Sequence, residues 1–305
     1  MRTFIICGPT ASGKSQIALH VAEAVRGEII NADSRQIYRD MAIGTGWPSQ
    51  AELERVPHHG YGVIAPDERY SAARFVTETR RLIQSVEDRG LLPIVVGGSG
   101  FYVDSLTQTI PLDRPPPDEA LRARLRREAA AHPPGVLYEW LVSLRATAAA
   151  GIHPGDTYRI VRRLETVLAA APASQTAKPA APHPPLHAAI AVLDVARDVL
   201  HERIALRVRA MFEQGLLQEA CAVRAAYAGS AALTSLGYAE ALAFQDGLAT
   251  HEEAIALAQR HTRQYAKRQQ TWFRHMHAAE RIVADDISAA AERATTVARE
   301  FWRAA

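Results

Sequence analysis

The chain has 305 residues, 48% hydrophobic and 22% charged, with a net charge of +2; this suits one large domain or two smaller ones and singles out no class of partner by charge alone. Cys7 and Cys221 are too few for a disulfide framework and lack metal-site spacing. The apolar stretch at the N-terminus is too short for a signal peptide and no window reaches membrane-spanning length, so a monomeric cytoplasmic protein with no membrane partner is expected.

Thr3 to Cys7 (TFIIC) reads as a short buried strand and Gln16 to Val25 (QIALHVAEAV) as a helix. Between them Gly8 to Ser15, GPTASGKS, fit the P-loop template of two glycines followed by Lys and a hydroxyl residue. Lysine occurs elsewhere only at Lys178 and Lys267. A turn of this kind aims backbone N–H groups and a helix N-terminus at one point, which suits a di- or triphosphate. Gly8, Thr10, Ala11, Ser12, Gly13, Lys14 and Ser15 are therefore the expected phosphate seat. Lys14 brings a point charge, and the Ser15 hydroxyl is the expected ligand of Mg²⁺. The motif leaves open which phosphate compound it holds.

Gly27 to Ala32 (GEIINA) reads as a second strand ending at Asp33, and Tyr70 to Arg89 as a helix with Phe75, Thr79, Leu82 and Val86 on one face. Leu92 to Val96 (LPIVV) is a third strand, running into Gly97-Gly98-Ser99-Gly100. This alternation predicts an α/β fold, a P-loop NTPase-like parallel sheet flanked by helices. Loops at the carboxyl ends of such strands carry the chemistry, so Asp33, Ser99 and the P-loop should converge. His58 and His59, with no third ligand in view, read as loop residues.

Beyond Pro111 the character changes. Pro115 to Pro117 form a break, an Arg- and Ala-rich helical region runs to about Ala170, and Ala171 to Pro185 read as a flexible or extended linker. His187 to Val195 (HAAIAVLDV) looks like a strand again. The resulting division is a core over 1–113, a mainly helical insertion domain over 114–192, and a mainly helical second part of the core over 193–305. In that last part Leu200, Ile204, Val208 and Met211 fit one helix face that Gly215 can cap.

Within Glu253 to His277, Ile255, Ala258, Thr262, Tyr265, Gln269, Trp272 and Met276 form one stripe at helical spacing. Arg260, Arg263, Lys267 and Arg274 lie on nearly the opposite face. Such a row of cations is either a solvated face or a contact to a nucleic-acid backbone. Tyr265, Trp272 and Phe273 suit either a core or stacking on bases.

Four further segments, DSRQIYRDMAIGT (33–45), PIVVGGSGFY (93–102), RDVLHERIALRVRAM (197–211) and TRQYAKRQQTWFR (262–274), make the chain resemble the tRNA dimethylallyltransferase (tRNA isopentenyltransferase) family. The resemblance covers nearly the whole chain. It implies transfer of the prenyl group of dimethylallyl diphosphate to N6 of the adenine just 3′ of the anticodon, with the insertion clamping the anticodon stem-loop. The phosphate seat then holds the diphosphate. Arg197 matches the family's phosphate-binding arginine, and Asp33 its catalytic aspartate. Departures fall at Ser99, where Thr is usual, at Trp47 in place of a lysine, in the residues after His59, at Gly155 and at Ala239.

An exocyclic adenine amine is a poor nucleophile, so alkylating it calls for a base and an easily expelled leaving group. Asp33, Ser99 and Arg197 are the expected catalytic residues: Asp33 as base or N6 acceptor, Ser99 bonding base or diphosphate, Arg197 stabilising the departing charge with Lys14. The target base must leave its stack to reach them. Asp33, Ser34, Arg35, Gln36 and Ser99 are expected to read it. Arg122, Arg159, Arg162, Arg263, Lys267 and Arg274 are expected to hold the RNA. Competing readings are an adenylate isopentenyltransferase, a P-loop nucleotide or small-molecule kinase, and an RNA-binding protein with a disabled site. The basic helix and insertion argue against the first, the absence of a lid with arginines after Gly100 against the second, and intact Lys14, Ser15, Asp33 and Arg197 against the third.

Overall fold

A computed structural model describes residues 1–107, 118–133, 135–169, 186–276 and 279–304. The chain divides into two compact units, one formed by residues 1–110 and 184–305 and the other by residues 111–183. The break at Pro115–Pro117 and the linker Ala171–Pro185 lie outside the described residues.

The first unit is built on six strands, β1 (Arg2–Cys7), β2 (Gly27–Asn31), β3 (His58–His59), β4 (Leu92–Gly97), β5 (His187–Asp194) and β6 (Glu280–Val283), in the order β3-β2-β4-β1-β5-β6. Every pairing is parallel. Parallel strands are covered on both faces, which is why β1 is an unbroken apolar run whose Phe4, Ile5 and Ile6 are fully buried. The helices of this unit are α1 (Lys14–Val25), α2 (Ala42–Thr45), α3 (Gln50–Arg55), α4 (Ala72–Glu87) and α5 (Gly100–Leu106), followed after the second unit by α9 (Arg197–Glu213), α10 (Leu216–Ala226), α11 (Tyr238–Gln245), α12 (His251–Phe273) and α13 (Ile287–Arg303). Residues of α1, α9, α10, α11, α12 and α13 join β1, β4 and β5 in one core.

Several details differ from the sequence reading. The expected boundary at residue 192 falls inside β5, whose residues pair with β1 from Arg2↔His187 to Cys7↔Val192. The chain is back in the sheet by His187, because the hydrogen-bonding edge of β1 needs a partner there. His58 and His59 are strand rather than loop, pairing with Ile29 and Ile30. The His59 imidazole reaches the buried Glu28 carboxylate at 2.7 Å, and Arg89 pairs with the same group. The stretch after α12 is not wholly helical either: β6 closes the sheet against Ala191–Asp194. On α4 the buried face includes Val76 and Ile83, with Leu82 at its margin.

In the unit of residues 111–183 the described residues form three helices, α6 (Glu119–Ala131), α7 (Val136–Ala149) and α8 (Thr157–Ala169). They close on Leu125, Leu137, Leu141, Ile160, Val161 and Leu164. Asp118 caps α6 by accepting the Leu121 amide. Among the described residues no helix is long and apolar enough to cross a membrane.

Candidate active site

The P-loop leaves β1 at Gly8 and enters α1 at Lys14, so its amides sit at the carboxyl edge of the sheet beside a helix N-terminus. Gly13 takes φ 88° there, and a Cβ on it would meet Ile287 of α13 at 3.1 Å. Ala11 is also left-handed, φ 61°, at a cost of about 1–2 kcal/mol for a residue with a side chain. The Thr10 amide donates to Gln269 Oε1 at 2.8 Å, and the Ser12 amide closes a turn on Pro9 O at 3.3 Å. The amides of Ala11, Gly13, Lys14 and Ser15 have no acceptor among the described residues. The buried Ser12 hydroxyl has no partner either. Lys14 Nζ donates to Pro9 O at 2.7 Å, and desolvation pushes its pKa down to about 8 while the charge of Asp33 pulls it back up. An unneutralised ammonium among free amides is a seat for an anion.

Asp33 follows β2 and is held from both sides. Asn31 Oδ1 accepts its amide at 2.8 Å, and Asn31 Nδ2 donates to the carbonyls of Asp33 and Gly60. The Arg35 amide donates to Asp33 Oδ1 at 2.8 Å, an Asx turn that fixes the carboxylate. Oδ2 is left toward Gly98, where an added Cβ would lie 3.6 Å from it. Ser99 Oγ accepts the Ser34 amide at 2.9 Å and donates to the Ser34 hydroxyl at 3.1 Å. Ser99 thus clasps the loop after β2 to the loop after β4. Gln36 Nε2 donates to the carbonyls of Thr45 and Gly46, while Arg35 is exposed.

Two of the arginines of α9 differ sharply in their surroundings. Arg197, at the first position of α9, is exposed and has no partner among the described residues. Ten residues on, Arg207 reaches Thr45 O at 3.3 Å, and a Cβ on Gly46 would strike its guanidinium. Desolvation lowers the pKa of Arg207 while the Asp33 charge raises it, and Arg207 in turn disfavours the charged form of Lys14. Arg207 and Lys14 therefore both lie near enough to Asp33 to feel its charge. Tyr61, Tyr102 and Tyr265 feel it as well: desolvation first, and the Asp33 charge with it, push all three hydroxyls up, so they stay protonated donors. Helical spacing carries no signal for Arg207, because a cleft-facing arginine and a solvated one look alike in sequence.

Trp47 packs edge-on against Tyr61 at 6.2 Å between ring centroids, and Gly62 leaves room for its ring. Trp272 donates its indole N–H to Asp104 Oδ2 at 2.8 Å and lies over Gly100. Buried α12 residues are Ala254, Ile255, Ala258, Thr262, Ala266, Gln269 and Phe273, so Phe273 is core, while Tyr265, Trp272 and Met276 sit at the margin. The stripe drifts because residues seven apart fall short of two full turns. Arg260, Lys267 and Arg274 are exposed and Arg263 is half-buried.

In the three-helix unit, Arg122 and Arg162 both pair with the buried Glu165, at 3.1 Å each, and Arg159 pairs with Asp156 at 3.3 Å. Arg122, Arg126, Tyr158, Val161, Arg162 and Glu165 line a cavity of about 240 Å³.

No group of three His, Cys, Asp or Glu side chains that could cage a metal occurs among the described residues. The exposed Ser15 hydroxyl, with no hydrogen-bond partner there, offers one oxygen beside the free amides. That donor set fits a hard divalent cation completing its shell with ligand phosphate oxygens and water.

Residues 36–276 match the family described as IPP transferase, and residues 1–59 match the family described as Isopentenyl transferase. A tRNA dimethylallyltransferase of Geobacter sulfurreducens is 40% identical over 280 residues, 88% of each chain. One from Geobacter metallireducens is 42% identical over 278 residues, covering 90% of this chain and 89% of that one. The crystal structure of the full-length tRNA isopentenylpyrophosphate transferase from Bacillus halodurans matches with a TM-score of 0.71 at 33% identity, over 99% of this chain and 97% of that one. A eukaryotic dimethylallyltransferase captured acting on tRNA matches with a TM-score of 0.78 at 26% identity, over 98% of this chain and 79% of that one. With a P-loop after β1, an aspartate after β2, and relatives this similar over almost its full length, the chain belongs to the tRNA dimethylallyltransferase (isopentenyltransferase) family of prenyltransferases.

Proposed function

We propose that this protein transfers the dimethylallyl group of dimethylallyl diphosphate to N6 of the adenine 3′-adjacent to the anticodon in tRNA, giving N6-isopentenyladenosine. The reading rests on P-loop amides without protein acceptors and Lys14 at the end of β1, with Asp33 at the end of β2 and Arg207 near enough to feel the Asp33 charge. The amides of Ala11, Gly13, Lys14 and Ser15, with the Ser12 hydroxyl and Lys14 Nζ, receive the diphosphate; Gly8 and Thr10 shape the loop. Arg207 supplies the guanidinium expected of Arg197. Mg²⁺, held by the Ser15 hydroxyl and the diphosphate, supplies charge neutralisation on the leaving group when bound.

Asp33 Oδ2, the carboxylate oxygen outside the Asx turn, accepts a proton from N6 of the flipped adenine. The N6 lone pair forms the bond to C1 of the dimethylallyl group as the C1–O bond breaks, and that electron pair leaves on the diphosphate. Lys14, Arg207 and the loop amides are preorganised where this charge develops. Ser34, Gln36 and Ser99 hold the loop that faces the base, and the exposed Arg35 meets the RNA strand. Arg263, Lys267 and Arg274 on α12, with Arg122, Arg159 and Arg162 in the three-helix unit, bind the anticodon stem-loop. The enzyme acts as a cytoplasmic monomer, since one chain carries every group named.

Mass spectrometry of tRNA nucleosides after incubation with dimethylallyl diphosphate, and separately with ATP, tests this. Isopentenyladenosine should form only in the first reaction. Phosphoryl transfer from ATP to a small acceptor, with no modified nucleoside, would replace this reading by a kinase.

A further inference from the structure

Gln269 stands in the apolar stripe of α12 at 5% exposure, and both ends of its carboxamide are hydrogen-bonded. Oε1 accepts the Thr10 amide of the P-loop at 2.8 Å, and Nε2 donates to Gly98 O, in the loop after β4, at 2.8 Å. The partners settle the orientation of the group, because an N–H and a carbonyl can be satisfied together only this way round. Gly98 is pressed against the carboxamide: an added Cβ would lie 2.4 Å from Nε2, 3.5 Å from Gly8 O and 3.6 Å from Asp33 Oδ2. The loops after β1, β2 and β4 therefore meet around one buried carboxamide.

We propose that Gln269 is a positioning residue that fixes the diphosphate cradle relative to Asp33 by tying the Thr10 amide to the Gly98 carbonyl. By taking the Thr10 N–H it also decides which P-loop amides remain for the anion. Ala11 and Gly13 need their left-handed conformations to present those amides, and a tether one residue before Ala11 opposes relaxation of the strained loop. Through Gly98 the same group sets the backbone that leads into Ser99, and Ser99 clasps the loop of Asp33. Gln269 touches no reacting atom; it acts through the cradle and the clasp.

This inference rests on the proposed prenyl transfer for its kinetic consequence but not for its binding consequence. Calorimetry with pyrophosphate and Mg²⁺, on the full chain, reads the cradle without any turnover. Gln269→Ala should weaken pyrophosphate about tenfold, the size expected when two buried hydrogen bonds lose a shared partner. Affinity for tRNA should stay within about twofold, and kcat with tRNA and dimethylallyl diphosphate should fall by more than the loss in tRNA affinity. Gly98→Ala keeps the glutamine but pushes its carboxamide aside, and it tests the same bond from another element should Gln269→Ala fail to fold. Its pyrophosphate loss should match, and the double variant should be no worse than the weaker single one. Unchanged pyrophosphate affinity in Gly98→Ala, or additive losses in the double variant, would overturn the proposal. Absence of isopentenyladenosine with the unmutated enzyme would instead remove the prenyl-transfer reading and leave the pyrophosphate result standing.

Discussion

Two cations beside Asp33 and three arginines of the other unit are held in opposite electrostatic states. Lys14 and Arg207 make no ion pair within 4 Å among the described residues, and desolvation disfavours the charge on each. Arg122 already pairs with Glu119 and with the buried Glu165, Arg162 with the same Glu165, and Arg159 with Asp156. A cation held without a partner in a cleft gains most from an arriving anion, whereas a paired one must exchange partners and gains less. An arriving anion therefore gains more at Lys14 and Arg207 than at Arg122, Arg159 and Arg162.

The largest expected effect tests the uncompensated side. Asp33→Ala should cut turnover by about 10² or more while leaving tRNA affinity nearly intact; single-turnover kinetics that match the unmutated enzyme would remove Asp33 from the chemistry. Next, Arg207→Ala should lower kcat/KM for dimethylallyl diphosphate by about 10²-fold, the usual size for a preorganised donor at a leaving group. Arg197→Ala, at an exposed position, should change it by less than about threefold under the same assay. Equal losses would mean that Arg197 and Arg207 both reach the diphosphate.

On the compensated side, Glu165→Gln leaves Arg122 and Arg162 around a neutral group. It should destabilise the three-helix unit by about 3 kcal/mol, read as an earlier transition in chemical denaturation. A midpoint that does not move would show that the pairs are replaceable by water. The smallest effect belongs to the exposed face of α12: Lys267→Ala should reduce the slope of log affinity for tRNA against log salt by about one. A slope identical to that of the unmutated protein would make that face merely solvated.

Some of this was readable along the chain and some was not. The P-loop, the strand before it and the helix after it depend on neighbouring residues, so GPTASGKS predicts them together with their place at the sheet edge. Asp33 and Ser99 follow because both terminate short apolar runs. β3 and β6, two and four residues long, are too short for periodicity to reveal and exist through the edges they cover. Arg207 escaped because it shares α9 with several arginines at similar spacing. Gln269 was visible only as one member of a packed stripe.

Sequence alone determined the P-loop turn between β1 and α1, the α/β alternation and the family, because each is written in residues close together or in motifs that keep their order. Tertiary structure alone decided which arginine faces Asp33, which cations are already paired, and that Gln269 joins the P-loop to the loop after β4. Thr10 and Gln269 lie 259 positions apart in the chain. No local pattern encodes a hydrogen bond across that separation; the packing of α12 against the sheet creates it.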